Sequence, residues 1–198
     1  MAAKGASLDR LYQAIDAGLV DLGESKIQEA KGRHAALSAY AASRSVKLTW
    51  HFIGHLQSNK AKPAVELFDL IHSVDSLHLA EAIDKEASKI AKVQDVLLEV
   101  NVAAEASKYG FKEDDLCGAL ERIKSLRHVR ARGLMTIATA SDDPQKSRAY
   151  FKRLRVLAES CFASPVLSMG MTDDFEVAVE EGATMVRIGR GIFGERNT

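Results

Sequence analysis

The chain has 198 residues, of which 46% are hydrophobic and 27% are charged, as in a folded globular domain and unlike a disordered chain. Its 27 basic residues balance 27 acidic ones, so no net charge attracts nucleic acid or an anionic membrane surface. The length suits one domain with a large core, and we expect a single domain over residues 1–198.

Short apolar, β-branched runs alternate with helical patterns along the chain. The clearest helical periods lie at residues 8–17, 77–90, 113–126 and 144–163. The apolar runs predict strands at residues 19–22, 48–53, 70–74, 96–102, 129–137, 165–167 and 184–188. This alternation predicts parallel strands joined by helical crossovers.

Seven strands of this kind indicate an α/β fold, a TIM-type (β/α)8 barrel with its first strand largely missing from this chain. An open doubly wound sheet is less favoured, because no GxGxxG sequence opens the first unit. Only residues 1–4 (MAAK) are available before the first helical segment for a strand. We therefore expect the chain to begin at the very end of its first strand.

The start of the chain and its cysteines bear on location. The first ten residues, MAAKGASLDR, lack the apolar core of a signal peptide, and no apolar run is long enough for a membrane helix. Cys117 and Cys161 are far apart and show no metal-ligand spacing, so we expect small core residues in a reducing compartment. The basic segment 124–132 lacks interleaved aromatic residues and is interpreted as a solvated helix end. These features predict a cytoplasmic protein.

The segment WHFIGHLQSNK, residues 50–60, carries two histidines, His51 and His55. Four residues of strand span about 13 Å, whereas two ligands of one zinc ion each lie about 2 Å from it, so no shared metal is expected. His55 follows Gly54 at a strand end, where it either lines a pocket or is a structural histidine. Residues 57–60 are interpreted as the cap and first turn of the next helix. No Ser/His/Asp nucleophile elbow occurs, so hydrolase chemistry finds no support.

The last two predicted strands end in the sequences SMGMT, residues 168–172, and RIGRG, residues 187–191. Barrels of this type commonly bind phosphate beyond their last two strands. Gly170 permits close backbone approach, and glycines flank Arg190 before a short helical segment. We interpret the two corners together as a phosphate cup made of backbone N–H groups.

Two aspartates follow the first of these corners, and their carboxylates would repel a phosphate if they faced it. Asp173 and Glu176 have the spacing of a capping box. We therefore expect the helix to be capped by Asp173, with the carboxylates of Asp173 and Asp174 pointing sideways to solvent.

Six segments together resemble the pyridoxal phosphate homeostasis protein family (YggS/PROSC-like). In chain order they are DAGLVDLGESKIQEA, WHFIGHLQSNK, IHSVDS, EVNVAAEASKYGF, RARGLMTIA and LSMGMTDDFEVAVEEGATMVRIGRGIFGE. The match covers nearly the whole chain, and WHFIGHLQSNK with SMGMTDDFE is its most specific part. The resemblance implies a barrel similar to the N-terminal barrel of alanine racemase.

The resemblance also implies a cofactor, pyridoxal 5'-phosphate, held as a Schiff base on a lysine at the end of the first strand. The matching position here is Lys4. Arg187 is implied to face the pyridine nitrogen, where a protonated arginine leaves that nitrogen unprotonated and weakens the cofactor as an electron sink. The residues implied in holding the phosphate are Ser168, Gly170, Met171, Thr172, Gly189 and Arg190.

Two departures from the family pattern affect the expected site. Ser25 replaces an asparagine that many relatives carry after Gly-Glu, so one polar contact of the cofactor is expected to differ. Relatives also carry a helix and most of a strand before the lysine. Either the start of the chain has been assigned too far downstream, or the chain is shortened. In the second case we expect an open seam between the second and the last strands of the barrel, unpaired backbone groups along it, and a poorly anchored Lys4.

The function implied by the resemblance is a protein without turnover that buffers and delivers pyridoxal 5'-phosphate and so influences vitamin B6, amino-acid and keto-acid balance. We expect a monomer with transient contacts to apoenzymes that use the cofactor. An amino-acid racemase with the same cofactor is the alternative, but such racemases take a tyrosine base from a second domain, and only Tyr109 is placed to approach the pocket here. A cofactor-free barrel isomerase would need His55 as its base.

Overall fold

The computed structural model describes residues 1–105 and 107–194. Its strands form one seven-stranded sheet in chain order, with every neighbouring pair parallel, in a nearly closed barrel. The predicted α/β barrel is therefore confirmed. The strands are β1 (Asp21–Glu24), β2 (Thr49–Phe52), β3 (Leu70–Val74), β4 (Gln94–Glu99), β5 (Val129–Met135), β6 (Val166–Met171) and β7 (Met185–Arg187).

Helices precede and connect the strands, and polar side chains fix where several of them begin. The hydroxyl of Ser7 accepts a hydrogen bond from the N–H of Arg10 at the start of α1, and Ser76 caps α4 in the same way. The helices are α1 (Leu8–Asp16), α2 (Ile27–Ser43), α3 (Ala61–Leu67), α4 (Leu77–Ser88), α5 (Glu113–Lys124), α6 (Arg148–Cys161), α7 (Phe175–Glu180) and α8 (Arg190–Phe193). Short 3-10 turns at Ser58–Lys60 and Pro144–Ser147 lead into α3 and α6.

The strands are buried on both faces because side chains fill the barrel and helices cover it. All five residues of β3 are buried, and Phe52 of β2 packs edge-on against Phe68, with ring centroids 5.1 Å apart. The barrel interior also contains buried polar side chains, which belong to the functional site described below.

Strand β1 begins at Asp21, two residues later than the strand predicted at residues 19–22. Residues 18–19 close α1 instead: the N–H of Gly18 donates to the carbonyl of Ile15, and that of Leu19 donates to the carbonyl of Ala14. Gly18 has a φ of +89°, which suits the left-handed turn that commonly ends a helix. The apolar run 19–22 therefore combined a helix end with the start of a strand. The strand at 70–74 has the predicted bounds.

The seam between β1 and β7 is closed at its carboxyl end by the first residues of the chain. Ala2 donates its N–H to the carbonyl of Ile188 at 2.8 Å, while Gly23 donates to the carbonyl of Met1 at 2.7 Å and Ala3 donates to that of Gly23 at 2.8 Å. Toward the amino ends of the strands the seam opens into a cavity of about 340 Å³. The expected open seam is thus only partly present. The expectation of a poorly anchored Lys4 is wrong, because Ala3, the residue before it, is hydrogen-bonded to Gly23 of β1.

Two other expectations concern the outside of the barrel. Cys117 on α5 is exposed, and its sulfur lies 3.8 Å from that of Cys161 on α6, so the expectation of two separate core residues is wrong. Adjacent crossover helices bring the two thiols together. Within residues 1–105 and 107–194, none of the helices combines the length and apolar character of a membrane span.

Candidate functional site

A cavity of about 450 Å³ lies at the carboxyl ends of the strands, where barrels of this type place their ligands. Its size is in the range of small-molecule sites. Its wall is shared by the ends of several strands, including Ser25 after β1, Ile53 after β2 and Ile137 after β5, and by Arg10 and Phe193 from α1 and α8.

Most of the residues that the sequence predicted for the site lie in this wall. They are Lys4, Met171, Thr172, Arg187, Gly189 and Arg190. Ser168 and Gly170 lie elsewhere, as both are buried behind the wall. Gly170 has a φ of +91°, and a Cβ at this position would lie 2.5 Å from that of Ala178 on α7. The close packing of β6 on α7 therefore requires a glycine at position 170.

The two glycine-containing corners meet at Thr172. Its hydroxyl accepts a hydrogen bond from the N–H of Gly191 at 3.3 Å, which joins the end of β6 to the start of α8. Gly189 is needed for close approach, because a Cβ there would lie 3.2 Å from the carbonyl oxygen of Ala2. The first N–H groups of a helix have no partner within it and favour an anion. Residues of both corners, Met171 and Thr172 of the first and Gly189 and Arg190 of the second, line the cavity.

The two aspartates beside this corner have separate partners. Asp174 accepts the N–H of Met171 at 2.7 Å and the hydroxyl of Ser147 at 3.0 Å, so its carboxylate is directed into the protein. Asp173 lies at the cavity edge and forms an ion pair with Arg190. The N-cap of α7 is Asp174, which makes no side-chain capping hydrogen bond, so the predicted capping box at Asp173 is wrong, as is the expectation that Asp174 points to solvent.

The backbone beside Lys4 is held by a buried ion pair. Arg33 on α2 donates to the carbonyl of Ala3 at 3.2 Å, and its guanidinium lies 3.3 Å from the carboxylate of Glu24. Burial raises the pKa of Glu24 to about 7, although the charge of Arg33 opposes that rise. The hydroxyl of Ser25 is buried in the cavity wall and has no hydrogen-bond partner within the described residues. Ser25 therefore offers a free donor to a ligand.

Arg187 lies at the floor of the cavity and is 9% exposed. It donates through Nη1 to the hydroxyl of Ser168 at 2.8 Å and through Nη2 to the carbonyl of Thr136 at 2.9 Å. Burial lowers the pKa of Arg187 to about 10, and the negative charge of Glu99 acts in the opposite direction. Arg187 therefore stays protonated at neutral pH. Burial raises the pKa of Glu99 to about 7, with a further rise from the charge of Asp75.

Histidines line the barrel interior behind Arg187. His72 Nδ1 lies 2.9 Å from the hydroxyl of Ser168, and His72 Nε2 lies 3.0 Å from His51 Nδ1. His51 Nε2 in turn lies 3.0 Å from a carboxylate oxygen of Asp21. Burial lowers the pKa of both imidazoles. His72 was missed in the sequence, where a histidine inside the otherwise buried strand LIHSV was the available signal.

Other candidates from the sequence lie outside the cavity wall. The ring of His55 stacks on that of Tyr109 with centroids 3.6 Å apart, and His55 Nδ1 lies 3.4 Å from a carboxylate oxygen of Asp75. His55, the candidate base of a cofactor-free isomerase, therefore does not line the cavity. In the described part of the chain, no group of three or more His, Cys, Asp and Glu side chains could hold a metal ion.

The fold and the cavity define a class of protein. It is a (β/α) barrel whose cavity is lined by Lys4 and by arginines, and such a cavity is suited to a small anionic ligand. The family model for the alanine racemase N-terminal domain matches residues 1–197. A pyridoxal phosphate homeostasis protein of Aquifex aeolicus is 43% identical over 200 residues, covering 98% of this chain and 85% of that protein. One of Pseudomonas aeruginosa is 42% identical over 186 residues, covering 93% and 78%. The chain therefore belongs to the alanine racemase N-terminal domain family and, within it, to the pyridoxal phosphate homeostasis proteins.

Solved structures agree with this assignment. PipY of Synechococcus elongatus PCC7942, with PLP bound, is 36% identical and superposes with a TM-score of 0.86, covering 98% of this chain and 90% of PipY. An alanine racemase of Clostridium difficile superposes with a TM-score of 0.72, covering 100% of this chain and 51% of the racemase. Because its identity is 12%, the racemase shares the fold alone.

Proposed function

We propose that this chain binds pyridoxal 5'-phosphate in the cavity at the carboxyl ends of its strands and buffers and delivers it. The observation that carries the proposal is that Lys4, Arg187 and both phosphate corners line one cavity of about 450 Å³. A relative with 36% identity is known with PLP bound, which supports the same ligand here.

The donors at one end of the cavity fit a phosphate group. Thr172 offers a hydroxyl, and Gly189 offers a backbone N–H group at the start of α8. The guanidinium of Arg190, now paired with Asp173, adds positive charge at the same edge. We assign the phosphate to these residues and Met171, and we assign Ser168 and Gly170 to the support behind them, because both are buried away from the wall.

Lys4 is the residue that we propose to hold the aldehyde end covalently. Its amine, once neutral, would be the group that condenses with the aldehyde, with loss of one water, to hold the cofactor as a Schiff base. The ladder hydrogen bond of Ala3 and the contact from Arg33 fix the backbone beside Lys4 against β1. The lysine side chain therefore starts from a fixed point in the cavity wall.

Arg187 is the residue that we propose to face the pyridine nitrogen. Because Arg187 keeps its proton at neutral pH, it would donate a hydrogen bond to the ring nitrogen and leave that nitrogen unprotonated. The bound cofactor supplies an electron sink, and an unprotonated ring nitrogen makes that sink weaker. This arrangement favours holding the cofactor over converting an amino acid.

A racemase remains the alternative use of the same cofactor, and it requires a base on the substrate. In the described part of the chain, the cavity wall contains no tyrosine, and the ring of Tyr109 is occupied by stacking on His55. We therefore favour a carrier without turnover. We also propose that it acts as a cytoplasmic monomer with transient contacts to apoenzymes.

An absorbance titration tests the proposed binding. Purified protein mixed with pyridoxal 5'-phosphate is expected to develop the visible band of a lysine Schiff base, and Lys4→Ala is expected to lose it. Lys26→Ala is the matched control, because Lys26 is a solvent-exposed lysine paired with Glu29 on the surface. No band in the parent protein would overturn the proposal. Where the band forms, chiral analysis of incubated alanine decides between carrier and racemase.

A further inference from the structure

A continuous hydrogen-bonded path crosses the barrel interior from Asp21 to Arg187. From Asp21 at the start of β1 it passes through His51 on β2 and His72 on β3, with two contacts of 3.0 Å. It then crosses to Ser168 on β6 at 2.9 Å and reaches Arg187 on β7 at 2.8 Å. Because β3 and β6 are not neighbours in the sheet, the path spans the inside of the barrel.

The two ends of this path fix the direction of every hydrogen bond in it. An ionised carboxylate only accepts, so His51 must donate from Nε2 to Asp21. A neutral imidazole then accepts at Nδ1, so His72 must donate from Nε2 to His51. His72 therefore accepts at Nδ1, and the hydroxyl of Ser168 must donate to it.

The same direction suits the arginine at the other end. A guanidinium only donates, and the oxygen of Ser168 accepts from Arg187 while its proton is given to His72. Both imidazoles are buried, and burial lowers the pKa of each, which keeps them neutral. All the donors thus point from Arg187 toward Asp21, and the bonds of such a chain strengthen one another.

We propose that Asp21, His51, His72 and Ser168 are positioning residues that hold the guanidinium of Arg187 in one orientation toward the cavity. Nη1 is held by Ser168 and Nη2 by the carbonyl of Thr136, so two points fix the plane of the guanidinium. The remaining N–H groups are then directed away from these partners. The identity of the ligand that Arg187 meets rests on the proposed function, whereas the hydrogen-bonded path does not.

The direction of the path can be measured without any cofactor. In protein labelled with ¹⁵N at histidine, NMR is expected to show both rings neutral at pH 7, with the proton on Nε2 and none on Nδ1. His51→Phe and His72→Phe assign the two sets of signals. Asp21→Asn is expected to change the proton position of His51, because an amide can donate as well as accept. Asp95→Asn, at the amino end of β4, is the control and should leave both rings unchanged. A proton on Nδ1 of either ring in the parent would overturn the path.

The positioning of Arg187 is tested with Ser168→Ala and its conservative partner Ser168→Thr. Ser168→Ala is expected to speed proton exchange of the Arg187 guanidinium at least about tenfold in the protein alone and to weaken pyridoxal 5'-phosphate binding by about tenfold. Ser168→Thr keeps a hydroxyl and is expected to restore most of both effects. Parent-like exchange and binding in folded Ser168→Ala would overturn the positioning role. If the parent itself binds no cofactor, the proposed function fails, and the guanidinium exchange still decides the positioning.

Discussion

The hydroxyl of Ser168 lies 2.8 Å from Nη1 of Arg187, so a serine that the family resemblance implied in holding the phosphate contacts the arginine. Ser168 is fully buried, and its oxygen is already shared between Arg187 and His72. The proposed phosphate site therefore consists of the residues that reach the cavity, and we propose that the hydrogen-bonded path through Ser168 positions Arg187.

Gly170→Ala tests whether this glycine serves packing. We expect it to lower the free energy of unfolding by roughly 2 kcal/mol, because the new Cβ meets Ala178 and the φ of +91° disfavours alanine. Gly118→Ala, on α5 with open space around it, is the control and should raise stability by about 0.5–1 kcal/mol. Urea unfolding measures both. Parent-like stability with lost cofactor binding in Gly170→Ala would instead indicate direct contact with the ligand.

Glu99 should make stability depend on pH near neutrality. Its pKa is raised from 4.5 to about 7 by burial, so the folded protein holds a proton that the unfolded chain has released. This contribution is complete below pH 4.5 and is lost as the pH rises through 7. Between pH 5 and 9 the parent is expected to lose about 2.5 kcal/mol relative to Glu99→Gln.

The control for that measurement is Glu121→Gln, since Glu121 is on the surface of α5. Its unfolding free energy should keep a constant difference from the parent across the same pH range. A constant difference for Glu99→Gln as well would show that Glu99 has an ordinary pKa in the folded protein.

His72 should make the protein less stable as the pH falls, which is the opposite of the pH dependence expected from Glu99. Burial lowers its pKa well below 6.5, so the unfolded chain takes up a proton that the folded protein refuses. Its stabilising contribution is present above pH 6.5 and is lost as the pH falls. Relative to His72→Phe, the parent is expected to lose up to about 1.4 kcal/mol per pH unit below 6.5. Parallel stability curves for the two proteins would contradict a neutral His72.

Cys117 and Cys161 should form a disulfide when an oxidant is supplied. With their sulfurs 3.8 Å apart at the surface, oxidised glutathione can take up both electrons and both thiol protons, which leaves two reduced glutathione molecules. Thiol titration of the unfolded chain should count two thiols before treatment and none after it. The variant Cys117→Ser retains only Cys161 and should form no internal disulfide. Its thiol should be lost only to the extent that it forms a mixed disulfide with glutathione. Two free thiols after treatment of the parent would contradict the contact.

The periodicity of the sequence was sufficient for the barrel but not for the ends of its strands. Apolar runs mark where a strand is buried, so β3 was placed correctly, whereas the strand before SMGMT was predicted to end at residue 167 and SMGMT was interpreted as a corner. The structure continues β6 to Met171, and the N–H of Thr136 still donates to the carbonyl of Ser168. Ser168 therefore points into the barrel, and the longer strand places Ser168 outside the wall of the cavity.

Other parts of the site depend on contacts that local patterns do not encode. Lys4 near the start of a chain looks like a solvated residue, and only the family resemblance singled it out. His51 and His72 are 21 residues apart, and they meet because parallel strands bring them side by side. The partner of each histidine is thus set by strand register, which composition and spacing alone do not determine.

The most direct test of the central claim is to trap the bound cofactor and locate it. Protein loaded with pyridoxal 5'-phosphate is treated with borohydride, which reduces the Schiff base to a stable amine, and mass spectrometry of its peptides identifies the modified lysine. We expect the label on Lys4 in the parent and no label in Lys4→Ala, with Lys26→Ala labelled like the parent. A label carried mainly by another lysine, or no label in the parent, would contradict the assignment of this cavity.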